Sequence, residues 1–264
     1  MKSKLIIIEG CDGSGKTTLI KDLKEDIKKI NPKIKIQNIA FPYNKAFGYL
    51  KIRSILADKK VMHYPPDLFQ GLYVINMIDC FEKVVNPFFK ENPEDGIIFI
   101  DRSIISTLLY NAINGGSIYN SIRTFLKKKR LAGDISISED DSMLDLDMIL
   151  NKYCHLEKEV DHYYFLQPPI NVLLERSKER TNGEEYDSQA YVQRMHRAYN
   201  DFYQFVSAQI TRNIMDFIEG PDSMVRPNLN IRGKITQLNS WNDTLPDEDN
   251  HTIYRNIILK DLGL

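Results

Sequence analysis

Gly10-Cys11-Asp12-Gly13-Ser14-Gly15-Lys16-Thr17 fits the pattern G-x-x-x-x-G-K-[ST]. Glycines at these positions let backbone N–H groups curl around an oxyanion, and a helix opening at the end of the loop turns its positive terminus toward it. Lys16 would reach the β- and γ-phosphates of a nucleoside triphosphate, and the Thr17 hydroxyl would ligate Mg²⁺. The phosphate-binding set predicted from the loop is Gly10, Asp12, Gly13, Ser14, Gly15, Lys16, Thr17 and Thr18. Context agrees with the motif. Leu5 to Glu9 is a short apolar run suited to a strand buried on both faces, and it leads straight into the loop. After the loop, Leu19, Ile20, Leu23 and Ile27 recur at helical spacing from Thr17 to Ile30, and Pro32 ends the helix.

Further along, Lys35 to Phe41 reads as a second strand and Pro66 to Phe89 as a largely apolar helical stretch. Ile97 to Ile100 is a third strand and Asp161 to Leu166 a fourth, stopped by Pro168-Pro169. Ile170 to Lys178 and Ser188 to Ile210 are helical, Lys234 to Leu238 is a fifth strand, and a last helix runs from about Asp249 to Leu262. Strands alternating with long helices predict an α/β fold: a three-layer, doubly wound parallel sheet of about five strands flanked by helices. The whole span, 1–264, is expected to form one nucleotide-binding domain. Two stretches break the rhythm. Asn114 to Lys158 carries a basic cluster and then the acidic run ISISEDDSMLDLD, and Asn213 to Gly233 is rich in Pro, Gly, Asn and Asp. Both are expected to be insertions with solvated surfaces.

The chain has 264 residues, 42% hydrophobic and 27% charged, with a formal net charge of -1. That balance argues against nucleic acid or an anionic membrane as the main partner, while local positive sites can still hold a small polyanion. Cys11, Cys80 and Cys154 lack metal-ligand spacing, which points to a reducing compartment. The N-terminus, MKSKLIIIEG, has too short an apolar core for a signal peptide, and no apolar stretch approaches spanning length. A soluble cytoplasmic protein is expected. The five histidines show neither ligand nor triad spacing and receive no chemical role.

The loop alone does not separate kinases from GTPases, motors or translocases. No N-K-x-D guanine-reading motif follows the third or fourth strand, and only Asp101, after Ile97–Ile100, imitates the acidic end of a motor's metal-binding strand. The remaining motifs decide. Phe41-Pro42 ends the second strand. Gly48 and Ile52-Arg53-Ser54-Ile55-Leu56 follow, then Asp101-Arg102-Ser103 with Ser106 and Tyr110, then Asp161 to Pro169 with Glu175-Arg176-Ser177-Lys178-Glu179-Arg180, and finally Tyr199-Asn200-Asp201. In order and spacing these resemble the thymidylate kinase (dTMP kinase) family over nearly the full length, apart from the two insertions.

The resemblance implies ATP-dependent phosphorylation of dTMP to dTDP by Mg²⁺-assisted in-line transfer, with small nucleotides as partners, no nucleic acid or membrane, and a homodimer. Carried over, the catalytic group is Lys16, Asp12, Arg102, Arg176 and Arg180. Arg53 and Arg102 would clamp the acceptor phosphate, whose oxygens suit a planar guanidinium. Arg176 and Arg180 would close on the donor phosphates from a lid near 176–187. That lid must supply the positive charge, because Gly13-Ser14 puts none inside the loop. Mg²⁺ would sit on Thr17, Asp12 and Asp101, with Asp12 alternatively holding the sugar 3′-hydroxyl. The substrate set is completed by Phe41, Pro42, Tyr73, Met77, Ser106, Thr107, Tyr110 and Tyr199, with Phe41 and Tyr73 flanking the base or simply packing in the core.

Two positions depart from the family pattern. Counted from Pro66, the base-reading arginine falls on Met77, and the arginine usual before Tyr186-Asp187 is Glu185. Met cannot donate to a pyrimidine O4, so a relaxed site that also takes dUMP is expected, with Asn76 or a water replacing the arginine. Two other functions stay open: a deoxynucleoside kinase, for which Glu9 is the candidate base, and a P-loop protein that binds nucleotide without turnover.

Overall fold

The computed structural model describes residues 1–58, 64–117, 143–145, 149–179, 188–208, 228–230, 233–242 and 245–264. β1 (Lys4–Glu9) leads into the phosphate loop, α1 (Lys16–Ile30) and β2 (Lys35–Ala40). Then come α2 (Tyr49–Leu56), α3 (Pro66–Cys80), a π turn (Phe81–Val85), α4 (Asn86–Glu91), β3 (Gly96–Asp101) and α5 (Ile104–Ile113). The rest comprises β4 (Met143–Asp145), a second π turn (Ile149–Tyr153), β5 (His162–Leu166), α6 (Ile170–Glu179), α7 (Gln189–Ala208), β6 (Asn228–Asn230), β7 (Lys234–Leu238) and α8 (Asp247–Leu262).

The main sheet has five strands in the order β2-β3-β1-β5-β7, every pair parallel. Register sets the site. Ile8 pairs with Asp101 and Glu9 with Phe165, so the carboxyl ends of β1, β3 and β5 finish side by side. Ligands of doubly wound sheets bind at that edge.

Strand residues alternate between two cores. Leu5 and Ile7 pack with Val74, Ile105 and Tyr199 on one face, and Ile6 and Ile8 pack with Leu19, Leu23, Tyr254 and Ile258 on the other. The helical stretch predicted from Pro66 is interrupted by the first π turn, just before Pro87. A proline has no N–H to donate to the preceding turn and its ring crowds it, which accounts for the wider turn.

Both of the stretches expected to be insertions contribute to a second small sheet, since β4 pairs in parallel with β6. The first also re-enters the body of the protein: Ile149, Leu150, Cys154 and Leu156 are fully buried. That end is core rather than the solvated surface expected. None of the helices among the described residues is long and apolar enough to cross a membrane.

Candidate active site

The phosphate loop has the conformation its glycines permit. Gly10, Gly13 and Gly15 have φ of 149°, 80° and 93°. At Gly10 there is also no room, since a Cβ would lie 2.5 Å from the Leu166 carbonyl oxygen on β5. Gly15 caps α1 from the left-handed region. Lys16 folds back over the loop and its Nζ donates to the Cys11 carbonyl at 2.9 Å and to Ser14 Oγ at 3.3 Å. Burial, and then the Arg102 charge, lower its pKa. Thr17 Oγ1 donates to Asp101 Oδ2 at 2.6 Å, joining two of the residues expected to hold Mg²⁺.

Just past β3, Arg102 has φ of 73°, a strained value for a non-glycine residue. This conformation aims the guanidinium back across the sheet end, where it pairs with Asp12 and reaches Ser106 Oγ at 3.4 Å. It also lies 5.2 Å from the centre of the Tyr110 ring. The Tyr110 hydroxyl donates to the other Asp12 oxygen. Burial opposes the Arg102 charge, but Asp12 and its neighbours outweigh it and hold the group well above its ordinary pKa. Asp12 is therefore engaged by Arg102 and Tyr110.

Beneath lies a buried network that the sequence motifs give only in part. Glu9 is fully buried. One of its carboxylate oxygens accepts from the Ser103 N–H at 2.7 Å and from the Ser103 hydroxyl, and the other accepts from Ser106 Oγ at 2.7 Å and Tyr199 OH at 3.3 Å. Ser106 and Tyr199 are themselves hydrogen-bonded at 2.6 Å. Burial raises the pKa of Tyr110 and Tyr199 well above the ordinary tyrosine range, so both stay protonated donors. Ser103, Ser106 and Thr107 belong to the first turn of α5, where the Ser103 hydroxyl caps the helix by accepting from the Ile105 N–H.

A cavity of about 800 Å³ opens beside the loop, lined by Asp12, Gly13, Gly15, Lys16, Thr17, Thr18, Asp101, Arg102 and Arg176. That size suits a nucleotide-sized ligand. Asp22, Glu179, Glu248 and His251 complete its wall. Arg176, expected in the lid, donates to the Gly13 carbonyl at 2.7 Å and lies 5.2 Å from the centre of the Trp241 ring. Arg180, Glu185, Tyr186 and Asp187 lie outside the described residues.

Several expected residues are placed elsewhere. Met77 is fully buried in the core with Phe69, Val74 and Cys80. It cannot read a base edge, so the expectation of dUMP use loses its basis. Asn76 cannot stand in. It too is fully buried, and its side chain accepts from the Tyr43 N–H at 2.6 Å while donating to the Tyr43 and Phe47 carbonyls at 3.1 and 2.9 Å. It latches the β2–α2 loop. Phe41, joined to Pro42 by a cis peptide bond, packs its ring edge-on against Phe81 at 5.8 Å, the core-packing alternative. Tyr73 is half-buried and edge-on to Phe69 at 5.5 Å. Arg53 is exposed on α2, over the Tyr49 ring, and does not line the cavity. Sequence spacing gave no hint of His251 or Trp241 in the site.

Fold and loop together define a P-loop nucleotide-binding protein. No protein-family profile matches the chain. Among curated relatives, the thymidylate kinase of Mycoplasma mobile is 31% identical over 146 residues, covering 53% of this chain and 68% of the relative. That of Ureaplasma parvum serovar 3 is 24% identical over 189 residues, covering 71% and 70%. The probable thymidylate kinase of Methanospirillum hungatei is 27% identical over 195 residues, covering 74% and 78%. Among solved structures, thymidylate kinase from Candida albicans superposes with a TM-score of 0.54 at 17% identity, covering 98% of this chain and 93% of that one. The Ehrlichia chaffeensis enzyme gives 0.51 at 15% identity, covering 99% and 100%. The chain belongs to the thymidylate kinase family.

Proposed function

We propose that the chain is a single-domain thymidylate kinase that transfers the γ-phosphoryl group of ATP to dTMP, giving ADP and dTDP. The observation that carries this reading is the convergence of donor-side and acceptor-side cations on one cavity beside the loop. Lys16, Arg176 and Arg102 all line the 800 Å³ cavity, Lys16 and Arg176 against the glycine loop and Arg102 just past β3, paired with Asp12. A donor polyphosphate on Lys16 and Arg176 and an acceptor phosphate on Arg102 would meet at the loop. Transfer between them needs no enzyme nucleophile, only positioning and electrostatic stabilisation of the equatorial oxygens. Arg102 would exchange Asp12 for the acceptor phosphate, freeing Asp12 toward the sugar hydroxyl. Arg176 is already against Gly13 and would turn onto the donor phosphates, joined by Arg180. Arg53 would have to approach from α2.

Thr17 and Asp101 offer hard oxygen donors 2.6 Å apart beside Lys16, a set that suits Mg²⁺. When bound there the ion would supply charge neutralisation on the β- and γ-phosphates. Glu9 does not support the deoxynucleoside kinase alternative. Both of its oxygens are engaged by Ser103, Ser106 and Tyr199 in a fully buried site, which leaves no base for a 5′-hydroxyl. We further propose a homodimer, supported by Leu68 and Ile75, two turns apart and exposed on α3. A coupled assay of ADP release with dTMP, thymidine or no acceptor tests the enzymatic reading. Turnover with dTMP alone is expected, and equal turnover with thymidine would refute it.

A further inference from the structure

The C-terminal helix α8 reaches the phosphate loop and is held there firmly. Asn250, fully buried, fastens the turn that precedes the helix. Its Oδ1 accepts from the Asn242 N–H at 2.7 Å, and its Nδ2 donates to the carbonyls of Asn242, Leu245 and Pro246 at 3.0 to 3.2 Å. One turn further, Arg255 lies 3.3 Å from Asp26 and 3.9 Å from Asp22, both on α1. Tyr254 and Ile258 pack in one core with Leu19, Leu23 and Ile27 of α1. The helix is thus braced against the one that the phosphate loop opens.

His251 stands between these anchors. It is 5% exposed, it lines the donor cavity, and Trp241 meets its ring edge-on with centroids 6.3 Å apart. Its Nε2–Cε1 edge is turned to the loop: a Cβ placed on Gly15 would lie 2.6 Å from Nε2 and 2.8 Å from Cε1. Backbone N–H groups at this point of a phosphate loop are the ones that cradle the α- and β-phosphates. An imidazole nitrogen against that turn is therefore within reach of the same oxygens. The electrostatic setting calls for such a donor, because Asp22, Glu179 and Glu248 share the cavity wall.

We propose that His251 binds the donor polyphosphate, its Nε2–H donating to a phosphate oxygen beside the Gly15 turn, so that α8 forms part of the active site. This rests on the phosphate-loop reading above. The test compares wild type with His251→Ala and with His251→Gln, whose amide can place an N–H near the same point. A hydrogen bond to a charged oxygen predicts that His251→Ala raises KM for ATP roughly tenfold. Competitive inhibition by inorganic tripolyphosphate, which has no base or sugar, should weaken by a similar factor. KM for dTMP and the melting temperature without nucleotide should hold, and His251→Gln should recover most of the loss. Unchanged KM for ATP would overturn the proposal. So would unchanged tripolyphosphate inhibition, which would put His251 at the base or sugar, or a parallel loss for dTMP with a lower melting temperature, which would make it structural. Should His251→Ala not fold, the same two constants for His251→Gln decide, and failure to bind both ligands near wild-type strength would overturn it. Absence of ATP or tripolyphosphate binding in the wild type would instead refute the phosphate-loop reading itself.

Discussion

Arg102→Met removes the acceptor-side cation while keeping a side chain of similar reach. The residue sits at φ of 73°, so methionine inherits the same backbone strain and adds none. Its partner Asp12 has a side chain 41% exposed and can rehydrate, so no unpaired charge is trapped in the interior. Stability should therefore change little, with the melting temperature moving by a few degrees at most. The acceptor loses much more. A guanidinium gripping a phosphate by two charge-assisted hydrogen bonds contributes about 3–6 kcal/mol, at about 1.5–3 kcal/mol each. That corresponds to a fall in kcat/KM for dTMP of roughly 10²- to 10⁴-fold. ATP affinity measured by calorimetry should stay within about twofold of wild type, because Lys16, Thr17 and Arg176 hold the donor. Arg102→Lys should remain well below wild type, since an ammonium keeps the charge without the planar fork. If ATP affinity collapsed while dTMP affinity survived, the division of the site into donor and acceptor halves would be refuted.

Three further perturbations follow from the same geometry. Lys16→Ala should give a folded protein whose kcat is lower by roughly 10²- to 10³-fold in a steady-state assay, as when one preorganised charge is removed from a transition state; near-normal turnover would contradict its role. Glu9→Gln places an amide donor against hydroxyls and an N–H that need an acceptor. It should cost about 1–3 kcal/mol and lower the melting temperature by several degrees, and an unchanged melt would show that the Glu9 network is not what holds β1 to α5. Burial pushes the thiols of Cys11, Cys80 and Cys154 up to about 11, 12 and 12. A raised pKa keeps the neutral thiol below that pH, so at pH 8 the thiolate fraction is about 10⁻³ or less. A thiol reagent should therefore label none of them quickly until denaturant is added.

What could be read from the sequence was whatever is local. Leu5 to Glu9, the glycine loop and the α1 periodicity form one continuous signal, and the structure extends the strand and helix by only a residue. α5 was missed as a helix because IISTLLYNAI is short, mostly apolar and buried almost all round, and periodicity does not tell a buried helix from a strand in such a run. Counting positions along α3 put Met77 at the base, but helical phase turns it inward with Val74 and Cys80, and only tertiary packing reveals which face that is. The Glu9–Ser106–Tyr199 network joins residues up to 190 apart, and His251 meets Gly15 across most of the chain. No short-range pattern encodes such meetings, because they depend on which strands become neighbours and which helix returns to the loop.

The central claim is that phosphate passes directly from ATP to dTMP at the loop between Lys16 and Arg102. A single-turnover experiment with γ-³²P-ATP, excess enzyme and dTMP follows that phosphate. All of the label is predicted to appear in dTDP, none on the protein and little as inorganic phosphate, and omitting dTMP should leave it in ATP. Label released as inorganic phosphate regardless of dTMP, or retained on the protein, would contradict the account.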